Sequence, residues 1–168
     1  MLGVYDNFPP NIHRIDSFTT PLSSKKLQQR LISVLCEINR KHFSFEDVAY
    51  PTVPECTIIF EVGLAEAKSF NFIDQEEAEK LLSALRKSPF RTMDFFCAVR
   101  YYKGVKEKFP LKFDYYMLRV LFGKNSVEMQ VFHERGPRYL SPEDVVTFLV
   151  NMINATARRK ILKKIEYA

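Results

Sequence analysis

At 168 residues the chain has the length of one domain and can bury a full core without a disulfide or metal staple. Its apolar fraction of 46% is ordinary, but fifteen Phe and eight Tyr with no Trp predict a well-filled core with aromatic surface left over. The formal charge of +5 is uneven: residues 98–140 carry nine Lys/Arg against four Asp/Glu, and residues 51–97 carry five against eight.

Cys36, Cys56 and Cys97 are odd in number and form no CxxC or Cys/His spacing, which argues against a disulfide framework or zinc knuckle and for reduced core thiols. The start, MLGVYDNFPPNIHRID, has no apolar run behind a basic cluster, and no apolar span is long enough for a membrane, so a cytoplasmic protein without membrane contact is expected.

Residues 1–22, with Pro9, Pro10 and Pro21, read as an extended arm lying on the domain or on a partner. After Ser23 and Ser24, either of them a fit N-cap, Leu27, Leu31, Val34, Leu35 and Ile38 recur at helical spacing, predicting a helix that ends near Lys41. Residues 44–55 read as a loop. TIIFEVGLAEAKSFNFI then alternates, with Ile58, Phe60, Val62 and Leu64 on one face, as one long strand or two bent near Gly63. Asp74 with Glu77 starts a second helix whose stripe is Ala78, Leu81, Leu82 and Leu85, stopped by Pro89.

Three more strands follow. TMDFFCAVRYY sets Met93, Phe95, Cys97, Val99 and Tyr101 on one face and Asp94, Phe96, Ala98, Arg100 and Tyr102 on the other. KFDYYMLRVLF and SVEMQVFHE flank GKN, a hairpin turn. Ser141, Pro142, Glu143 and Asp144 spell a third helix start, with Val145, Phe148, Leu149 and Met152 as its stripe. The predicted fold is an α+β open-faced sandwich: an antiparallel sheet of four or five strands with about three helices on one face, occupying residues 23–154 and followed by a basic helical tail over 155–168.

The hairpin's loop length decides which side chains share a face. An even loop sets Val120 against Met129, Leu118 against Val131, Phe122 against Val127 and Tyr116 against His133; an odd loop would bury Gln130 and Glu128. The even register puts Leu121 beside Glu128, Arg119 beside Gln130, Met117 beside Phe132 and Tyr115 beside Glu134 on the opposite face, joined by Phe96, Arg100 and Tyr102. Rings with arginines on a sheet face suit unstacked nucleotides, and the loop KGVKEK, with Lys112 and Lys124, adds charge. Such a face more often packs on the chain's own arm, a second layer or another copy, because large apolar patches are seldom left bare.

The stretch VFHERGPRYLSPED holds the remaining chemistry. His133, near Tyr116 and Asp114, has the surroundings of a general base, but a structural histidine satisfied at the sheet edge is the commoner meaning. Glu134, Arg135 and Arg138 precede a helix start, where an anion would meet free N–H groups. Asp94 and Asp114 fall on opposite faces, and His13 and His42 lack metal-ligand companions. No GxGxxG, GKS/T or GxSxG motif is present, so no cofactor is expected.

Three functions remain. The first is a non-catalytic interaction module, a homodimer or a subunit of a larger complex, using the open sheet face and the basic C-terminus. The second is binding of RNA or single-stranded nucleic acid through Phe96, Arg100, Tyr102, Tyr115, Arg119 and Phe132. The third is a small enzyme centred on His133, Glu134, Arg135 and Arg138.

Overall fold

The computed structural model describes residues 1–50, 54–104 and 109–166. The chain runs β1 (Arg14–Thr19), α1 (Ser24–Ile38), β2 (His42–Ser44), a 3₁₀ turn (Phe45–Asp47), β3 (Cys56–Glu66), β4 (Ser69–Phe72), α2 (Gln75–Lys87), β5 (Thr92–Lys103), β6 (Phe109–Gly123), β7 (Ser126–Arg135), α3 (Pro142–Asn154) and β8 (Lys163–Lys164). The strands form one sheet in the order β2-β3-β5-β6-β7-β1-β8, with β4 paired to β3, and every pairing is antiparallel. The fold is therefore α+β with an antiparallel sheet and three helices, as composition and pattern predict. The sheet has eight strands, however, and not four or five.

The extra strands come from segments read as arm, loop and tail. β1 lies inside residues 1–22 and pairs with β7 along its whole length. Its Asp16 is buried and held by Arg14 Nε at 2.8 Å and Lys164 Nζ at 3.3 Å. Burial alone would raise this carboxyl, but the hydrogen bonds from the two cations outweigh it and leave the group below its usual value. Over its described residues, 155–166, the tail is not helical. Asn154 ends α3 by accepting from the N–H groups of Ile161 and Leu162 at 3.0 and 2.8 Å and donating to the Leu162 carbonyl, which seats both apolar residues in the core and sends β8 along β1. Within 44–55, the tip of β2 and the 3₁₀ turn are ordered elements, while residues 51–53 lie outside the described ones.

The apolar stripes fall where spacing puts them. Leu27, Leu31, Val34 and Leu35 of α1, Leu81 and Leu85 of α2, and Val145, Phe148 and Leu149 of α3 share one core with Ile58, Phe60, Val62, Phe95, Val99, Leu118, Val120, Met129 and Val131. Caps set the helix starts: Ser23 accepts from Lys26 N–H, Asp74 from Glu77 N–H, and Ser141 with Asp144 forms a reciprocal capping box. α1 stops at Ile38 because Asn39 turns its amide onto Val62 and Ile73, which locks the helix end to the sheet. β3 and β4 are two strands of a hairpin whose turn falls at Ala67 and Lys68, beyond Gly63. All three cysteines are free and buried, and burial pushes the Cys97 thiol up to about 12, which leaves it unreactive at neutral pH.

The hairpin takes the even register. Val120 pairs with Met129, Leu118 with Val131, Phe122 with Val127 and Tyr116 with His133, across a turn in which Asn125 adopts positive φ. One pairing differs: Tyr115 stands opposite Arg135 and not Glu134, because β7 carries Glu134 as an extra, bulged residue. A bulge resets alternation, so Arg135 joins the outward face with Tyr115 when an unbroken strand would have turned it inward with His133.

Candidate functional site

The histidine, carboxylate and arginines after β7 are organised by a residue on the neighbouring strand. Asp114 of β6 is fully buried on the core side, and four groups meet its carboxylate. Tyr101 donates its hydroxyl to Oδ2 at 2.6 Å, and His133 Nε2 lies 2.8 Å from Oδ1. The backbone N–H groups of Arg138 and Tyr139 donate to Oδ1 and Oδ2 at 2.6 and 2.9 Å. Arg138 reaches this geometry at φ +64, so that successive amides converge on one anion. Tyr116 donates to the Leu140 carbonyl, fastening the same loop one residue further on. Burial, then Tyr116, then Asp114 push the Tyr101 phenol well above its ordinary value, and burial with Asp114 does the same for Tyr116, so both remain donors.

His13 completes this end of the sheet. Its Nδ1 accepts from the His133 backbone N–H at 2.9 Å, and its ring stacks on Phe132 at 4.7 Å. Partial burial, then Arg138, then His133 lower its pKa, which keeps Nδ1 free to accept. The anion site read at Ser141 is not retained. Pro142 has no N–H, the Asp144 N–H is taken by Ser141, and the Asp144 carboxylate accepts from the Ser141 N–H in return. Within the stretch 131–144 the His133 ring and the Arg138 and Tyr139 amides thus converge on Asp114, while Ser141 and Asp144 cap α3.

The outward sheet face divides in two. One part is covered by the chain's own N-terminus. Gly3 donates to the Ala65 carbonyl and accepts from Asp94 N–H, filling the gap where β3 and β5 stop pairing beyond Val62 and Cys97. The Asp94 carboxylate is fully buried and accepts from Nε and Nη2 along one edge of Arg119, at 2.7 and 2.9 Å, and from the Tyr5 N–H at 2.8 Å. The Phe8 ring closes over the Arg119 guanidinium at 4.3 Å. Arg119 is therefore a clasp for residues 2–8. Arg119→Met strands a buried carboxylate, so the Gly3 and Tyr5 amides are expected to exchange with solvent about tenfold faster or more, with α1 amides unchanged. Unaltered exchange at Tyr5 in a hydrogen-exchange measurement would remove this role.

The other part is a groove over β3, β5 and β6. A cavity of about 290 Å³ is lined by Phe70, Phe72, Phe96, Arg100, Phe113 and Tyr115, among others. A shallower depression shares Phe113 and Tyr115 with it and continues past Lys112 to Arg135. Phe96 packs against Phe70 at 5.4 Å and Tyr115 at 5.5 Å. Phe72 and Phe113 stay 48% and 39% exposed, unusual for side chains of this size. Arg100 contacts Glu61 at 2.9 Å and lies over the Phe113 ring at 5.4 Å, and Arg135 lies over Tyr115 at 5.0 Å.

Of the residues predicted for a site, the structure brings Phe96, Arg100, Tyr115 and Arg135 together in this groove. Arg119 and Phe132 are engaged by Phe8 and His13. Tyr102 pairs beside Thr57 and Pro110 at the strand end, outside the groove lining, and Glu134 is the exposed bulge residue. Arg138 contributes its backbone to Asp114. Phe70, Phe72 and Phe113 were missed; Asp114 was read as a neighbour of His133 and not as the acceptor that gathers the loop amides. Of the KGVKEK loop, residues 105–108 lie outside the described ones.

Among the described residues no helix is long and apolar enough to cross a membrane. Compared with known protein families, curated proteins and solved structures, the chain has no match in any of the three.

Proposed function

We propose that this chain is a non-catalytic interaction module, a homodimer or a subunit of a larger complex, that contacts another protein through the uncovered groove on its outward sheet face. The observation that carries the reading is the contrast within one face. Where residues 2–8 reach, rings and charges are covered and paired, whereas Phe72 and Phe113 flank a ring-lined groove that none of the described residues fills. On this reading the sheet is open-faced over β3, β5 and β6 only, and the exposed cations Arg158, Arg159 and Lys160 near the C-terminus lend secondary charge. Nucleic acid is less favoured: base stacking needs free ring faces, and Phe113, Tyr115 and Phe132 already carry Arg100, Arg135 and His13. An enzyme centred on His133 is also less favoured, since the buried carboxylate that would orient it is shared with a phenol and two backbone amides.

Photo-cross-linking in cells of the source organism tests the reading. Benzoylphenylalanine at position 113 is expected to yield a discrete protein adduct, absent when the same residue replaces the exposed Tyr50. Identical adduct patterns at the two positions, no adduct, or a nucleic-acid adduct at 113 would each defeat it.

A further inference from the structure

Arg100 is the one described residue with a buried side-chain polar atom left unpaired: its Nε has no acceptor. Buried orphan donors are few in folded proteins and destabilise the state that contains them, so each calls for an explanation. Here the neighbours are informative. The same guanidinium lines the groove, touches Glu61 through Nη2 and leans on Phe113. A carboxylate brought by a ligand would engage the Nε and Nη edge side-on, the two-pronged geometry that arginine offers and lysine cannot.

Charge around the groove agrees. Its rim holds Arg100, Lys112 and Arg135, against Glu61, which Arg100 already meets. The bulge in β7 matters here, because it sets Arg135 over Tyr115 in the place alternation would give to Glu134. Without it the rim would lose a cation and gain an acid. The floor is apolar and ring-lined, and about 290 Å³ lies at the small end of ligand pockets, which run from roughly 300 Å³, so it suits one or two side chains better than a whole cofactor.

We infer that the groove takes an acidic segment of a partner protein, seating an aromatic or large aliphatic side chain between Phe96 and Phe113 while an adjacent carboxylate replaces Glu61 on Arg100. This rests on the interaction reading above and names the partner's chemistry. Among the described residues nothing accepts from the Arg100 Nε, although that side chain as a whole is 40% exposed.

The test uses the whole chain and a phage-displayed random peptide library, with labelled oligo-dT as a separate arm. Selected peptides should place Asp or Glu beside Phe, Tyr, Leu or Ile. Arg100→Met should weaken the best of them about tenfold, the loss of a charged hydrogen bond, while its thermal midpoint stays level or rises because the orphan donor is gone. Phe113→Ser should weaken binding independently. Neutral or basic consensus sequences, no enrichment, undiminished affinity in Arg100→Met, or capture of oligo-dT in place of peptides would overturn the inference. A protein adduct from position 113 without acidic consensus would leave the interaction reading standing and remove only this assignment; failure of both removes both.

Discussion

Gly136→Ala is expected to cost about 4 kcal/mol or more, enough to remove most of the stability of a domain at the low end of the usual range. Gly136 has φ +116, a conformation that side-chain-bearing residues adopt only under strain of about 1–3 kcal/mol. A Cβ there would stand 2.2 Å from the Phe113 carbonyl, 2.5 Å from Asp114 Oδ1 and 2.8 Å from Asp114 Cα. None of these can give way: two are backbone atoms of β6, at the centre of the sheet, and the third is an oxygen fixed by His133 and Arg138. Gly123→Ala is the control. Its Cβ would come within 3 Å only of the Ser126 hydroxyl, the free end of a side chain that can rotate, so it should cost under about 1 kcal/mol. Urea unfolding of both variants checks the contrast, and equal midpoints would show that the close approach of the 136–140 loop to β6 is not a constraint on folding.

The sheet was legible from the sequence wherever one face is apolar and its strand is bounded by a turn. Val127, Met129 and Val131 alternate against Val120 and Leu118, and GKN leaves only one register that buries them all. β1 was not legible, because its buried positions are Asp16 and Phe18, with Thr20 just past its end, and an acid at a buried position hides the period. It is tolerated only because Arg14 and Lys164 reach it, and Lys164 is far along the chain. The C-terminal segment misled for a related reason. ARRKILKK has helical composition, but the side chain of Asn154 claims the N–H groups of Ile161 and Leu162 and ends the helix before it. The groove was half visible. Parity assigns Phe96, Arg100 and Tyr115 to one face, whereas the bulge at Glu134 that adds Arg135 exists only relative to the partner strand. Phe70 and Phe72 were hidden because the β3–β4 turn lies past the expected bend at Gly63. One signal was used only in part: parity sets Asp114 with Tyr116 and His133, but an acid on the buried side of a strand must also be met by donors from elsewhere, here the 138–139 amides.

That logic makes Asp114 the other position of large effect. Asp114→Ala would leave the Tyr101 hydroxyl, the His133 ring and the amides of Arg138 and Tyr139 without their partner inside the protein, and a loss of about 3–5 kcal/mol is expected. Asp114→Asn keeps the shape and is still not conservative. Each carboxylate oxygen accepts one backbone N–H, Oδ1 from Arg138 and Oδ2 from Tyr139, so either orientation of an amide points its NH₂ at a donor that cannot rotate away. Its cost should be about 2–3 kcal/mol. Tyr101→Phe, by contrast, deletes one donor and strands none, because Asp114 keeps three other contacts; about 1 kcal/mol is expected. The ranking Ala, then Asn, then Tyr101→Phe is what distinguishes an acceptor role from simple packing, under which Asn would be nearly neutral. Denaturant unfolding gives the order, and exchange rates of the Arg138 and Tyr139 amides show whether the damage begins at the loop. Since that loop follows Arg135, Gly136 and Pro137 along the groove's rim, Asp114→Asn should also weaken partner binding under conditions where the fold persists. An Asn variant with native stability and native amide protection would mean that the 136–140 loop is held by something other than this carboxylate.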